Sequence, residues 1–264
     1  MTTSPQLPQH DRDAESVAGH WLLARVGKKV LRPGGRELSE WMVGSATIAG
    51  KRVVEFAPGL GLTASLLLAE SPASYTGVDS DPDAVEVTRS AIDGRGDMVV
   101  ATAQDTGLDA SSADIVVGEA MLTMQGDSTK QKIVEEAARV LDADGRYLVH
   151  ELCLVPDDLD EDIKTTIRKD LARSIRVNAR PLTVSEWSEL FSAAGFDVES
   201  TEIRPMGLLK PRQMIADEGI DGVAKIVSNL VRDSDARKRV LAMRKTFTTH
   251  DKHIAAVGLV LRKR

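Results

Sequence analysis

The sequence predicts an α/β fold in which a doubly wound, mostly parallel sheet carries a helical lobe. Three observations predict it. Short apolar, β-branched runs alternate with stretches of helical spacing from residue 53 to about 151, and such alternation builds a parallel sheet with helices on both faces. The first run ends in a glycine turn, Ala57-Pro58-Gly59-Leu60-Gly61, that opens a helix. The last run, 254–261, is continuously apolar and calls for cover on both faces.

Composition narrows the class before any motif does. At 264 residues with 42% hydrophobic and 28% charged side chains, the chain suits one large globular domain, or a domain plus a lobe. A net charge of -6 argues against a nucleic-acid partner. The single cysteine, Cys153, excludes a disulfide framework and a cysteine metal site within one chain, and no metal is expected. No apolar run reaches the ~18–20 residues of a membrane span, and the first residues have no apolar signal core. These features predict a cytoplasmic protein with no membrane partner.

Residues 1–13 read as a loose polar tail. Val17, Trp21, Leu22, Val26 and Val30 have helical spacing over 14–31. The Arg32-Pro33-Gly34-Gly35 turn stops that helix, and Leu38, Trp41 and Met42 mark a second one. Val53-Val54-Glu55-Phe56 is the first strand. The two glycines after it allow positive φ and leave the backbone bare, and residues 62–69 form the following helix. Its N-terminus offers free N–H groups and a positive dipole end to a ligand.

Tyr75 to Asp79 is the second strand, with Asp79 at its end and Ser80 in the loop beyond. Asp81-Pro82 reads as N-cap and first residue of a helix ending at Ile92. A third strand spans 98–101, a fourth 113–118 ending at Glu119, and a fifth 146–151, after a helix over 130–141. Residues 158–175 carry Leu159, Ile163, Ile167, Leu171 and Ile175 in a narrow helical stripe, which suits a helix on the domain surface or against a second copy in a homodimer. Thr183 and Glu186 form a capping box for a helix to Ala194. The sixth strand opens at Gly195 and runs to about 204, and the seventh is 254–261. Between them, helical patterns near 212–217, 223–231 and 236–246 form a locally basic insert, with Arg237, Lys238, Arg239, Arg244 and Lys245.

Two cofactor classes use such a strand–turn–helix unit. Gly59-x-Gly61-x-x-Ala64, with Asp79 about 20 residues on, fits a dinucleotide fingerprint. The run Glu55-x-Ala57-x-Gly59-x-Gly61 resembles the first motif of class I S-adenosylmethionine (SAM) methyltransferases, with Ala57 where glycine is usual. An acid beside the turn would repel a pyrophosphate and suits the cationic amino-acid end of SAM, which favours the second reading. The resemblance covers about residues 37–204 plus the last strand, and its nearest flavour is the ubiquinone/menaquinone-biosynthesis type acting on small molecules.

That resemblance implies a seven-stranded sheet closed by an antiparallel last strand, with SAM as cofactor and S-adenosylhomocysteine (SAH) as product. Glu55, Ala57, Pro58, Gly59 and Gly61 would form the cofactor turn. Asp79 and Ser80 would take the ribose, and Gln104 or Asp105 the adenine. Glu119 would face the reaction region. His150, Glu119 and Glu151, at strand ends, are the candidates for a general base, which methyl transfer needs only if the acceptor is protonated. The implied division is a lid over 1–46, with His20, Trp21 and the Arg32–Gly35 turn as its candidates, a cofactor core over 47–204 plus 253–264, and an acceptor-lobe insert over 205–252. Glu119-Ala120-Met121-Leu122 lacks the Pro-Pro-aromatic run of DNA amino-methyltransferases, so the expected acceptor is a small molecule. Two rival readings stand: an NAD-dependent oxidoreductase, and a non-catalytic binding module that keeps the fold and exposes a large apolar surface.

Overall fold

The computed structural model describes residues 5–264. The core follows the alternation in the sequence: β1 (Arg52–Phe56), α3 (Leu62–Ala69), β2 (Ser74–Asp79), α4 (Pro82–Ile92), β3 (Asp97–Val100), β4 (Ala113–Glu119), α5 (Asp127–Val140) and β5 (Leu141–Leu154). Before it lie α1 (Gly19–Arg25) and α2 (Gly35–Gly44). After it come α6 (Glu161–Ile175), the two-residue β6 (Leu182–Thr183), α7 (Val184–Ala193), β7 (Phe196–Pro205), α8 (Pro211–Arg232), α9 (Ser234–Thr249) and β8 (Ile254–Lys263).

The sheet order is β3-β2-β1-β4-β5-β8-β7, with β6 beside the end of β5. Strands β1 to β5 pair in parallel, whereas β8 runs antiparallel between β5 and β7. The seven expected strands are all present, and the short β6 is an addition. Alternation along β4 explains the layers. Val116 faces a core built with Ile133, Val134 and Ala137 of α5 and Trp187 and Phe191 of α7. Ile115 and Val117 face the opposite layer, with Met42 of α2, Ala64 and Leu67 of α3, and Ile92 of α4. Burial of these side chains, at about 1.5–3 kcal/mol each, is the main force holding both layers on the sheet.

Local chemistry sets several boundaries. Asp81 caps α4, accepting from the Asp83 N–H at 2.9 Å, with Pro82 at the first helical position. The Thr183/Glu186 capping box opens α7. Other expectations change. The N-terminal periodicity over 14–31 yields a helix only over Gly19–Arg25, because Gly27 takes φ 104° and the chain over 28–32 is irregular. The backbone N–H groups of Lys29 and Val30 then donate to Glu218 of α8 at 3.0 and 2.9 Å. In α8, Gly219 (φ 72°, ψ 170°) breaks the helix, so the patterns near 212 and 223 belong to two kinked halves of one element.

The narrow stripe of α6 packs on its own chain. Ile167 and Leu171 join Leu152 and Leu154 of β5 and Met206 in one cluster. Helices α1, α8 and α9 form a further cluster around Trp21, Leu22, Ile226 and Met243. These two clusters meet over the C-terminal ends of the parallel strands, where an open α/β sheet takes its ligands. Among the described residues, no helix is long and apolar enough to cross a membrane.

Candidate active site

A cavity of about 590 Å³ opens at those strand ends. Its floor is the turn after β1, contributing Ala57, Pro58 and Gly59, flanked by Asp79, Ser80 and Asp81 after β2, Gln104 after β3, and Glu119 after β4. Its upper wall comes from α1, α6 and α9: Trp21, Leu171, Ile175, Met243 and Phe247 line it, with Met206 and Leu208.

The two glycines of the turn serve different ends. Gly59 has φ 61°, and a Cβ there would meet only the Ala57 carbonyl and the Trp21 ring, each at 3.9 Å. Its bare backbone therefore faces the cavity, beneath Trp21. Gly61 caps α3 with φ 71°, and a Cβ there would lie 2.7 Å from the Ala91 side chain. It permits close packing of α3 on α4. Ala57 takes φ 52°, a left-handed conformation that costs a residue with a Cβ roughly 1–2 kcal/mol and is free to glycine.

Asp79 is nearly buried and accepts from the Asp81 N–H at 3.0 Å. Burial raises its carboxyl above the ordinary range, opposed by backbone N–H bonds from Asp81 and Gly59. Gln104 and Asp105 are both exposed, and of the two only Gln104 lines the cavity. Glu55 departs from its expected place. It lies under the sheet end, does not line the cavity, and accepts from the Tyr75 hydroxyl at 2.6 Å. Burial pushes its carboxyl up to about 8, with the Tyr75 bond opposing. At neutral pH it is chiefly an uncharged acid, so its charge does not recruit the amino-acid end of SAM.

Glu119 anchors a buried polar network that the sequence did not reveal. Arg32 Nε donates to its Oε2 at 2.6 Å, Ser39 Oγ to the same oxygen at 2.7 Å, and Thr63 Oγ1 to Oε1 at 3.0 Å. Arg32 also reaches Thr63 Oγ1. Burial alone would raise the Glu119 carboxyl; Arg32, His150 and Ser39 outweigh it and hold it at about 2. His150 completes the network. The Gly34 N–H donates to its Nε2 at 3.0 Å, so Nδ1 carries the proton and faces Glu119 Oε2 at 3.2 Å.

Both ring nitrogens of His150 are thus engaged. The residue is fully buried and does not line the cavity. In this arrangement it cannot take a proton from a molecule in the cavity, contrary to the base expected there; it fixes the turn that carries Arg32. Glu151 is also internally satisfied. Its carboxylate accepts from the N–H groups of Met121, Leu122 and Thr123 and from the Thr123 hydroxyl, at 2.6–3.1 Å. It shapes the loop after β4.

The sign of the cavity bears on its ligand. Asp79 and Asp81 line it against Lys29, whereas the Glu119–Arg32 pair cancels and Glu151 is held by the N–H groups of its own loop. A cationic sulfonium suits that field, whereas a pyrophosphate would be repelled. Together with the open face of Gly59 and the carboxylate of Asp79 at the end of β2, this set fits SAM and not a dinucleotide.

Comparison with known proteins agrees. Residues 54–149 match a family model described as a methyltransferase domain. An uncharacterised protein of Haemophilus influenzae is 35% identical over 252 residues, covering 92% of this chain and 98% of that protein. Phosphoethanolamine N-methyltransferase 2 of Haemonchus contortus, solved with SAM, superposes with a TM-score of 0.68 at 19% identity, over 97% of this chain and 58% of that one. The [4+2]-cyclase SpnF superposes with a TM-score of 0.69 at 14% identity over 99% of both chains, so this architecture alone does not fix a reaction. The matched domain, the shared architecture and the cofactor cradle together place the chain in the class I SAM-dependent methyltransferases.

Proposed function

We propose that this SAM-dependent methyltransferase acts on a small, largely apolar acceptor held under α6 and α9. The observation that carries the reading is one continuous cavity. It runs from Gly59 and Asp79 to Met243 and Phe247, with side chains of α1, α6 and α9 forming its wall opposite the strand ends. A few hundred Å³ with an apolar wall suits a small molecule and not a polymer. In this reading the N-terminal segment 1–46, of which residues 1–4 lie outside the described structure, is the lid, and 205–252 completes the acceptor lobe on the 47–204 plus 253–264 core.

SAM supplies an electrophilic methyl group on a sulfonium. Every other task falls to the chain. Asp79 accepts the ribose hydroxyls, with Ser80 beside it, and Gln104 rather than Asp105 meets the adenine. The backbone of Ala57, Pro58 and Gly59 lets the cofactor approach closely, while Gly61, which does not line the cavity, serves the packing of α3 on α4. Glu119 holds the Arg32 turn over the site and is not the base. Trp21, Met243 and Phe247 exclude water, so that alignment of nucleophile, methyl and sulfur supplies much of the rate. A quinol-like acceptor, as in the ubiquinone and menaquinone branch, fits this wall. A phosphate ester suits it less, because among the described lining residues Arg32 is already paired with Glu119 and Lys29 is left against several acids.

Incubating the protein with methyl-labelled SAM and a cell extract split by mass tests the reading. Label should enter the organic-extractable, low-mass fraction. Label confined to protein or nucleic acid would overturn it.

A further inference from the structure

A polar side chain without a hydrogen-bond partner among the described residues stands on the acceptor wall. His20 stands near the start of α1 and lines the cavity. Burial alone lowers its imidazole, to about 4, with no bonded or charged partner opposing, so it is neutral at physiological pH. Its neighbours place it closely. Gly19, one residue before, packs against Met243 Sδ and Ile175 Cα, 2.9 and 3.1 Å from where a Cβ would stand. Trp21, one residue after, hangs over Gly59 of the cofactor turn. Position 20 therefore spans the junction between the cofactor cradle and the acceptor wall. The His20 and Trp21 rings lie 4.8 Å apart and tilted, so the imidazole is held by its neighbour.

Several other polar groups lining the site are engaged, whereas Ser80 and Gln104 lie on the cofactor side. Arg32 is paired with Glu119, Thr123 with Glu151, and Gln9 accepts from the Ala18 N–H. The His20 side chain is half-buried and makes no hydrogen bond among the described residues, so its ring nitrogens are open to whatever fills the cavity.

The geometry points to His20 as the residue that holds the acceptor's nucleophilic hydroxyl or N–H, making the enzyme specific for apolar acceptors that carry such a group. The assignment rests on the methyltransferase reading of the same cavity. A neutral imidazole offers one donor and one acceptor nitrogen, so it can accept a hydrogen bond from the nucleophile and orient its lone pair at the methyl group. A site built to bond a hydroxyl discriminates strongly against the analogue that lacks it.

Equilibrium dialysis of the SAH-saturated protein with 1-naphthol and with naphthalene tests this, because the two probes differ only in the hydroxyl. The wild type should bind 1-naphthol at least about tenfold more tightly than naphthalene. His20→Phe should bring the two within about twofold while still binding naphthalene, and His20→Gln should restore part of the preference. Calorimetry should give both variants wild-type SAH affinity, which also reports that they fold. A naphthol preference that survives in His20→Phe, or a wild type with no preference, would overturn the assignment and leave the methyltransferase reading intact. A wild type that binds no SAH would remove that reading and this assignment with it.

Discussion

Glu119→Gln removes the charge that opposes Arg32 while keeping the size of the side chain. Both partners are nearly buried, with side-chain exposures of 4% and 10%, so the substitution strands a guanidinium in a low-dielectric site. Removing one member of a buried pair costs about 3–5 kcal/mol. Linkage gives a similar figure. The Glu119 carboxyl sits at about 2, against an ordinary 4.5, which corresponds to about 3 kcal/mol at neutral pH. Because the folded value lies below the unfolded one, this stability is fully present above pH 4.5 and is lost as the pH falls toward 2. Urea unfolding at pH 7 should therefore lose about 3 kcal/mol in the variant, a midpoint shift on the order of 1 M for a slope near 3 kcal/mol per M. At pH 3 the difference should shrink. The double variant Arg32→Met/Glu119→Gln should regain much of the loss, since an apolar replacement strands no charge. A single variant within 1 kcal/mol of wild type at pH 7 would refute the network as described.

Asp79→Ala should weaken SAH binding by about 1.5–3 kcal/mol, the scale for hydrogen bonds to a charged group, and unchanged affinity in calorimetry would remove Asp79 from the cofactor site. Gly59→Val should abolish SAH binding in a protein that keeps its circular dichroism, because a branched Cβ resists φ 61° and projects into the cavity; normal binding would mean that the turn is no cradle. Glu55→Gln should stabilise the fold at pH 8 by roughly 1–3 kcal/mol and not at pH 4, since an acid held at about 8 when folded loses stability as the pH rises from 4.5 to 8; a variant less stable at pH 8 would contradict its burial as an uncharged acid. Met243→Glu should cut methyl transfer to the acceptor at least tenfold while leaving SAH affinity near wild type, and a loss confined to SAH affinity would take α9 out of the acceptor wall.

What the sequence revealed depended on the range of the forces involved. Local chemistry was legible. Asp81-Pro82, the Thr183/Glu186 box and the strand-to-helix turn at Gly59 act within a few residues, and the structure has them where the spacing puts them. The fifth strand was expected from 146, yet β5 begins at Leu141, with Asp144 in a left-handed conformation. The N-terminal helix was overlong for a non-local reason. Val30 is buried, as its periodicity implied, but in irregular chain pinned by Glu218, 188 residues away. The site divides in the same way. Gly59, Asp79 and Gln104 follow strands and could be counted from them. Arg32 with Glu119, and Gly34 with His150, meet only through the fold, so His150 looked like a base when it is a strut. The insert's pattern over 223–231 was misleading as well: Val227 and Val231 are more than half exposed, and Ile226 is the buried contact.

The central claim is that this acidic, glycine-floored cavity binds a cationic sulfonium cofactor and not a dinucleotide. Calorimetric titration of the purified protein with SAM, SAH and NADH tests it most directly. The account predicts saturable one-to-one binding of SAM and SAH, both abolished in Gly59→Val, and no binding of NADH. Saturable binding of NADH with none of SAM or SAH would contradict it.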